Sequence, residues 1–357
     1  MPSTFFRKIK WQHRTNFRRG YSLLESMVSL AIGLLIISAL LTLYLHSNSA
    51  SSTNNNAAER INNGRYALNT MKADVCQAGF MGFTYMPPDP LNSPLSTVIT
   101  PIGNECLEPG AAAGSFISNI WQGIWGADDY NPFSKGKNCL ADYLRGDVLV
   151  VRRLSSKPVT SLEAGTLYYR TSYKKGELFR GSPDSTCDTS TFPSSAYTAP
   201  YNKYPCITGT ANIDVLNFPV VTHIYYIRSY TASNSEYPKI PALARISLQS
   251  DGSMASELIA SGIENMQIQY SINYSDLSNQ YLDARSIIGN SYLSTASATA
   301  WNDVNAVQIW LLARNANVEP AYADTKTYVM GNSSMAVADG YRRQLFSTSV
   351  NLRNKSQ

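Results

Sequence analysis

Histidine is scarce in this sequence: of 357 residues only His13, His46 and His223 are histidine, and the first two fall in or beside a basic, then apolar, N-terminal stretch. That leaves no histidine cluster for zinc, and the lone His223, in an alternating run, reads as a structural strand residue. Cysteine is present five times, at Cys76, Cys106, Cys139, Cys187 and Cys206, but never with the CxxC spacing of a zinc ribbon or a thioredoxin-like centre. A GxSxG elbow, a phosphate-binding P-loop and a GxGxxG fingerprint are all missing. The residues indicate no enzyme class, no cofactor and no metal centre. Asp128 and Asp129 read as solvated loop acids, with a calcium site there left open by the sequence.

Charge is thin as well, at 15% of residues, and it is unevenly placed. Arg7, Lys8, Lys10, Arg14, Arg18 and Arg19 precede Gly20, where there is no acid; without them the formal net charge of +5 falls just below zero. The remainder therefore lacks the basic track that nucleic-acid binding requires. The pairs Arg152–Arg153, Lys174–Lys175 and Arg342–Arg343 stand apart from one another and read as strand faces. In an oxidising compartment the five cysteines allow two disulfides and a free thiol, and connectivity does not follow from sequence. Cys187–Cys206 encloses the shortest loop and is the pairing expected first.

From Ser26 to Ala58 there is no Asp, Glu, Lys or Arg, and Met27 to Leu45, MVSLAIGLLIISALLTLYL, is long enough to cross a bilayer. At the helical rise those residues cover roughly 28 Å, against ~30 Å of hydrocarbon. The basic cluster upstream implies an N-in, single-pass topology. A cleavable signal peptide would have a shorter apolar region, and a plain signal anchor leaves Glu25 unexplained, because a carboxylate at membrane depth costs about 2.5–3.5 kcal/mol.

Gly20, Tyr21, Ser22, Leu23, Leu24 and Glu25 resemble the processing site of type IV prepilins: glycine, an aromatic residue, Ser or Thr, Leu, any residue, then Glu. Most members carry Phe where this chain has Tyr21. The resemblance implies removal of a leader, residues 1–20, by a prepilin peptidase and N-methylation at Tyr21. The new amine would be neutralised by Glu25 of a neighbouring subunit, a pair that sets register in an apolar bundle. Ser26, Ser29 and Gly33 would allow close helix packing.

After HSNSASSTNNN (46–56), helical spacing resumes at Ile61, Leu68, Met71, Val75 and Ala78, with Gly79 placed to end the helix. One helix over 21–78 is expected, its second half packed on a head formed by 79–357. The expected fold is α+β and pilin-like: a long N-terminal helix on an antiparallel, β-rich head. Candidate strands are Asp147–Arg153, Thr166–Thr171, Thr222–Tyr230, Ala242–Gln249, Glu264–Tyr274, Val304–Arg314 and Leu345–Arg353. Trp121 and Trp125 are expected in the core.

Three segments, ERINNGRYALNTMKADVCQAGF (59–80), LIASGIENMQIQY (258–270) and DGYRRQLFSTSVNLRN (339–354), resemble the PilW family of minor pilins. The resemblance implies a low-copy subunit that helps initiate a type IV pilus at its tip. Its implied partners are prepilin peptidase, other minor pilins, the major pilin and a large tip adhesin. It would sit in the bacterial inner membrane before assembly and in the pilus at the cell surface afterwards. Adhesion, twitching and DNA uptake would then be properties of the filament, without direct nucleic-acid binding by this subunit. The alternatives are a J-type pseudopilin of a type II secretion system and a signal-anchored extracytoplasmic enzyme or binding protein. Residues 81–201 carry no motif.

Overall fold

The computed structural model describes residues 20, 22–82, 102–107, 113–133, 139–171, 176–181, 216–272, 280–289 and 300–354. The chain divides into two compact units, Met1–Asn55 and Asn56–Gln357, so the boundary falls inside helix α1 (Leu23–Val75). Gly79 adopts the left-handed conformation, φ 71°, at the end of the turn over residues 76–79 that follows the helix. That is the glycine stop the spacing predicts.

In the second unit, α1 buries Gly64, Ala67, Met71, Asp74 and Val75, with Ala78 beyond its end. The expected stripe is therefore rotated slightly: Ile61 and Leu68 flank it half-buried, and two small residues occupy its centre. The rotation follows from how closely the helix approaches the head at Gly64, where any larger side chain would hold it away.

The head is built on two main antiparallel sheets. In the first, β1 (Ile124–Ala127), β2 (Tyr143–Leu154), β5 (Leu216–Arg228), β3 (Leu167–Thr171) and β4 (Gly176–Arg180) lie in that order, while β6 (Ala242–Leu248) and β7 (Met254–Ser261) extend it from β5. The long strand β5 makes this branching possible. Its first part, Leu216–Pro219, pairs with β3, and its last part, His223–Arg228, pairs with β6, while β2 runs along the other edge. Val148, Leu149, Val150 and Val151 of β2 are all fully buried, the continuous apolar run of a strand covered on both faces.

The second sheet has the order β13 (Arg343–Asn351), β10 (Val304–Arg314), β8 (Ile263–Ile272), β9 (Tyr281–Leu282). A hairpin of β11 (Thr327–Met330) and β12 (Ser333–Ala336), a helical turn α2 (Ser115–Ser118), a short helix α3 (Ala284–Gly289) and a 3-10 turn (Ala300–Asp303) complete the described elements. All seven strands expected from sequence are present. β1, β4, β7, β9, β11 and β12 were not expected, because short or half-exposed strands lack a clear alternation.

Trp125 is buried against Trp301, ring centroids 6.3 Å apart, and Trp121 packs edge-on to Tyr169 at the margin of the same core. Cys106 and Cys139 form a disulfide with Cα atoms 5.3 Å apart, and Cys76 is a half-buried free thiol. The expected pair Cys187–Cys206 lies outside the described residues.

Candidate assembly site

The first part of α1 displays its apolar side chains. Leu23, Leu24, Met27, Leu30, Leu34, Leu35 and Leu45 are exposed, and an 18-residue window apolar enough to cross a membrane has no part buried. Several of its hydroxyls are satisfied within the helix: Ser29 Oγ donates to the Glu25 carbonyl (2.8 Å), Ser38 to Leu35 (2.8 Å) and Thr42 to Ser38 (2.9 Å). Serines bonded to their own backbone can lie in an apolar phase without an orphan donor. At Gly33 an added Cβ would meet nothing within 4 Å, so that face is open to a neighbour. Glu25 occupies the first turn, exposed and without a partner among the described residues. Gly20 is exposed, and Tyr21 lies outside the described residues.

Within the second unit, the three motif segments meet. Asn63 Nδ2 donates to Ser261 Oγ (2.9 Å), tying the helix segment to the second motif. One residue on, a Cβ built at Gly64 would lie 2.3 Å from the Phe346 ring of the third. Arg60 donates to Asn315 Oδ1, and Asn315 and Arg342 both donate to Glu319. Behind them Arg343, its side chain 1% exposed, pairs with Glu264 and Asp339 at 2.6 Å each and lies 3.6 Å from Asp324. Burial works against the Arg343 charge, but hydrogen bonds from its guanidinium to Asp339 and Glu264 outweigh it and push its pKa up. At the other end of the junction, Asn354 Nδ2 donates to the Gln77 and Ala78 carbonyls (3.2 Å), just beyond where the helix stops.

A second buried cluster pins the last turn of the helix. Asp74, 5% exposed, accepts from Arg153 Nε (2.8 Å) and Tyr225 Oη (3.0 Å) and bonds His223 Nδ1 (2.6 Å). Burial alone would raise the Asp74 carboxyl; the hydrogen bond and charge of His223, with those of Arg153, more than offset this and hold it below the usual range. Backbone bonds reinforce the contact, as Gly79 N–H donates to the Arg152 carbonyl (2.9 Å) and Leu154 N–H to that of Phe80 (2.8 Å). Reading the arginine pairs as plain strand faces therefore needs correction. Arg152 is buried with Nε on the Phe116 carbonyl, Arg153 holds the helix and Arg343 is interior, because each found an acceptor from a distant segment. Lys174 and Lys175 lie outside the described residues.

Asp128 and Asp129, in the β1–β2 loop, converge with Asp147 of β2 so that one oxygen from each lies within 4.8 Å of the others. The Asp128 side chain is 13% exposed, less solvated than its sequence context suggested, because it faces Arg285 of α3 at 3.3 Å. Asp147 accepts from the Asp129 and Ile268 backbone N–H groups (3.0 and 2.7 Å). Burial, with the neighbouring charges of Asp129 and Asp128, nevertheless pushes its carboxyl up to about 8. No sequence pattern marks this convergence, since Asp147 lies 18 residues beyond Asp129.

The described residues thus combine an N-terminal helix, apolar and exposed in its first part and buried along one stripe in its second, with an antiparallel β head. Residues 224–354 match the family of the type IV pilus-assembly protein W, PilW. The match covers two of the three motif segments that form the junction. Among solved structures the chain is similar to a type IV-like pilin from Thermus thermophilus, with 13% identity, 68% of this chain and 95% of that chain covered, and a TM-score of 0.26. No curated protein matches the sequence.

Proposed function

We propose that this chain is a minor pilin that a prepilin peptidase cuts after Gly20 and that helps initiate a type IV pilus, at or near its tip. The observation that carries the reading is the pairing of an exposed apolar helix, with Glu25 in its first turn, and a head segment matching the pilus-assembly protein W family. Before assembly the helix spans the inner membrane N-in, the apolar surface of residues 27–45 facing lipid. On extraction that surface transfers to the helices of neighbouring pilins. There the Tyr21 amine of one subunit meets Glu25 of the next, because neither charge is tolerated alone in an apolar bundle. The role is structural: binding to other minor pilins, the major pilin and a tip adhesin rather than turnover of a substrate.

Intact mass and N-terminal sequencing of the protein from its native membrane test this. A mature terminus at N-methylated Tyr21 supports it; an uncut chain, or a terminus beyond the apolar helix, overturns it. Deletion that removes surface pili while leaving protein export intact separates a pilus from a secretion filament.

A further inference from the structure

The acidic cluster between the two sheets has a neighbour that gives it chemical meaning. Tyr270 of β8 is fully buried, and its hydroxyl has no hydrogen-bond partner. A Cβ added at Gly126, two residues before Asp128, would lie 2.0 Å from Tyr270 Oη, so the hydroxyl sits directly beneath the strand that leads into the acidic loop. Asp147 and Asp128 are the charges acting on it. Burying a hydroxyl unpaired is costly, and a native fold accepts that where something else completes the site.

Three carboxylates converge here, and the one cation paired with any of them among the described residues is Arg285, whose side chain is 75% exposed. The carboxylates are also held in place. Gln267 Nε2 donates to Asp129 Oδ1 (2.8 Å), and the Asp129 and Ile268 backbone N–H groups orient Asp147. These bonds engage only some of the acceptor capacity of each group, since a carboxylate offers about four lone-pair sites. All donors are oxygens, with no sulfur or imidazole, which selects a hard cation over zinc or copper. Their placement on an irregular loop and one strand suits the variable coordination of calcium better than the strict octahedron of magnesium.

We propose that Asp128, Asp129 and Asp147 bind a calcium ion, with the Tyr270 hydroxyl bonded to a water in its coordination shell. The ion joins the β1–β2 loop of the first sheet to β8 of the second. It offsets the mutual repulsion of the acids and satisfies the buried phenol. Its affinity falls in the range of extracellular calcium modules, roughly 0.1–1 mM.

The test uses the full-length chain in detergent micelles, stripped of divalent ions. Calcium is titrated by calorimetry, and terbium luminescence is read through Trp301, whose ring lies 4.9 Å from that of Tyr270. Expected are calcium binding in the submillimolar to millimolar range, a higher melting temperature with calcium, and terbium emission that calcium displaces. Asp128→Asn and Asp129→Asn should each weaken binding roughly tenfold or more, with the ion-free melting temperature near wild type. Absence of binding at about 10 mM calcium, or unchanged affinity in both variants, overturns the proposal. Equal affinity for magnesium overturns the assignment to calcium.

Discussion

Gly64 lies in the interior of a helix, where glycine ordinarily costs about 1 kcal/mol relative to alanine. Here the sign reverses, because the Phe346 ring occupies the space a methyl group would take. Gly64→Ala should therefore destabilise the chain by about 1–3 kcal/mol in chemical denaturation, as overpacking does. The cost should shrink when Phe346→Ala is added, a coupling a double-mutant cycle would read. Asp74 makes the second prediction at this scale. Its carboxyl is depressed in the folded state, so its contribution is present above the unfolded pKa, near 4, and is lost as pH falls through the lower folded value. Asp74→Asn should cost about 3 kcal/mol at pH 7, since it strips the countercharge from Arg153 in a buried pair. Thermal melts at pH 3 and pH 7 should show the gap between variant and wild type narrowing in acid. These positions were partly legible in sequence: Asn63 and Gly64 belong to a recognisable motif, but nothing in the spacing named Phe346 or Arg153 as the groups they meet.

Helix α1 is one element with two kinds of surface. Its first half carries apolar residues on every side and serines bonded to their own backbone, while its second half buries one narrow stripe in which small residues allow close contact. Such a division lets the head fold independently of what surrounds the first half. Glu25→Val should accordingly leave the head's melting temperature unchanged, measured on the chain in detergent, while lowering its incorporation into sheared filaments several-fold by immunoblot. Normal incorporation of the variant would reject the role given to Glu25. Strand β5 is the counterpart in the head: its 13 residues serve three partners, and the branching of the first sheet depends on that length. The helix and the long strands were legible because their periods persist over many residues. The four-residue strands β1, β11 and β12 were not, since a period cannot establish itself over so short a run.

At the scale of the whole molecule, the head is stitched by contacts between residues far apart in the chain, and the Cys106–Cys139 bridge is the covalent one among the described residues. It closes a separation of 33 residues, so chain entropy assigns it about 3–4 kcal/mol. Cys106→Ser should lower the denaturation free energy by about that amount under oxidising conditions, and dithiothreitol should reproduce the loss in the wild-type chain. Sequence by itself determined the features that are local: an uncharged apolar run of membrane length, a processing-type motif before it, the glycine stop at Gly79, and the absence of histidine and cysteine clusters. Each depends on neighbouring residues alone, so no fold is needed to see it. Tertiary structure alone decided which cysteines pair, where the three motif segments meet, and that Asp147 joins Asp128 and Asp129 beneath Tyr270. Those outcomes rest on strand order and register, which bring residues from distant parts of the chain to within a few ångströms, and spacing along the sequence carries no measure of that distance.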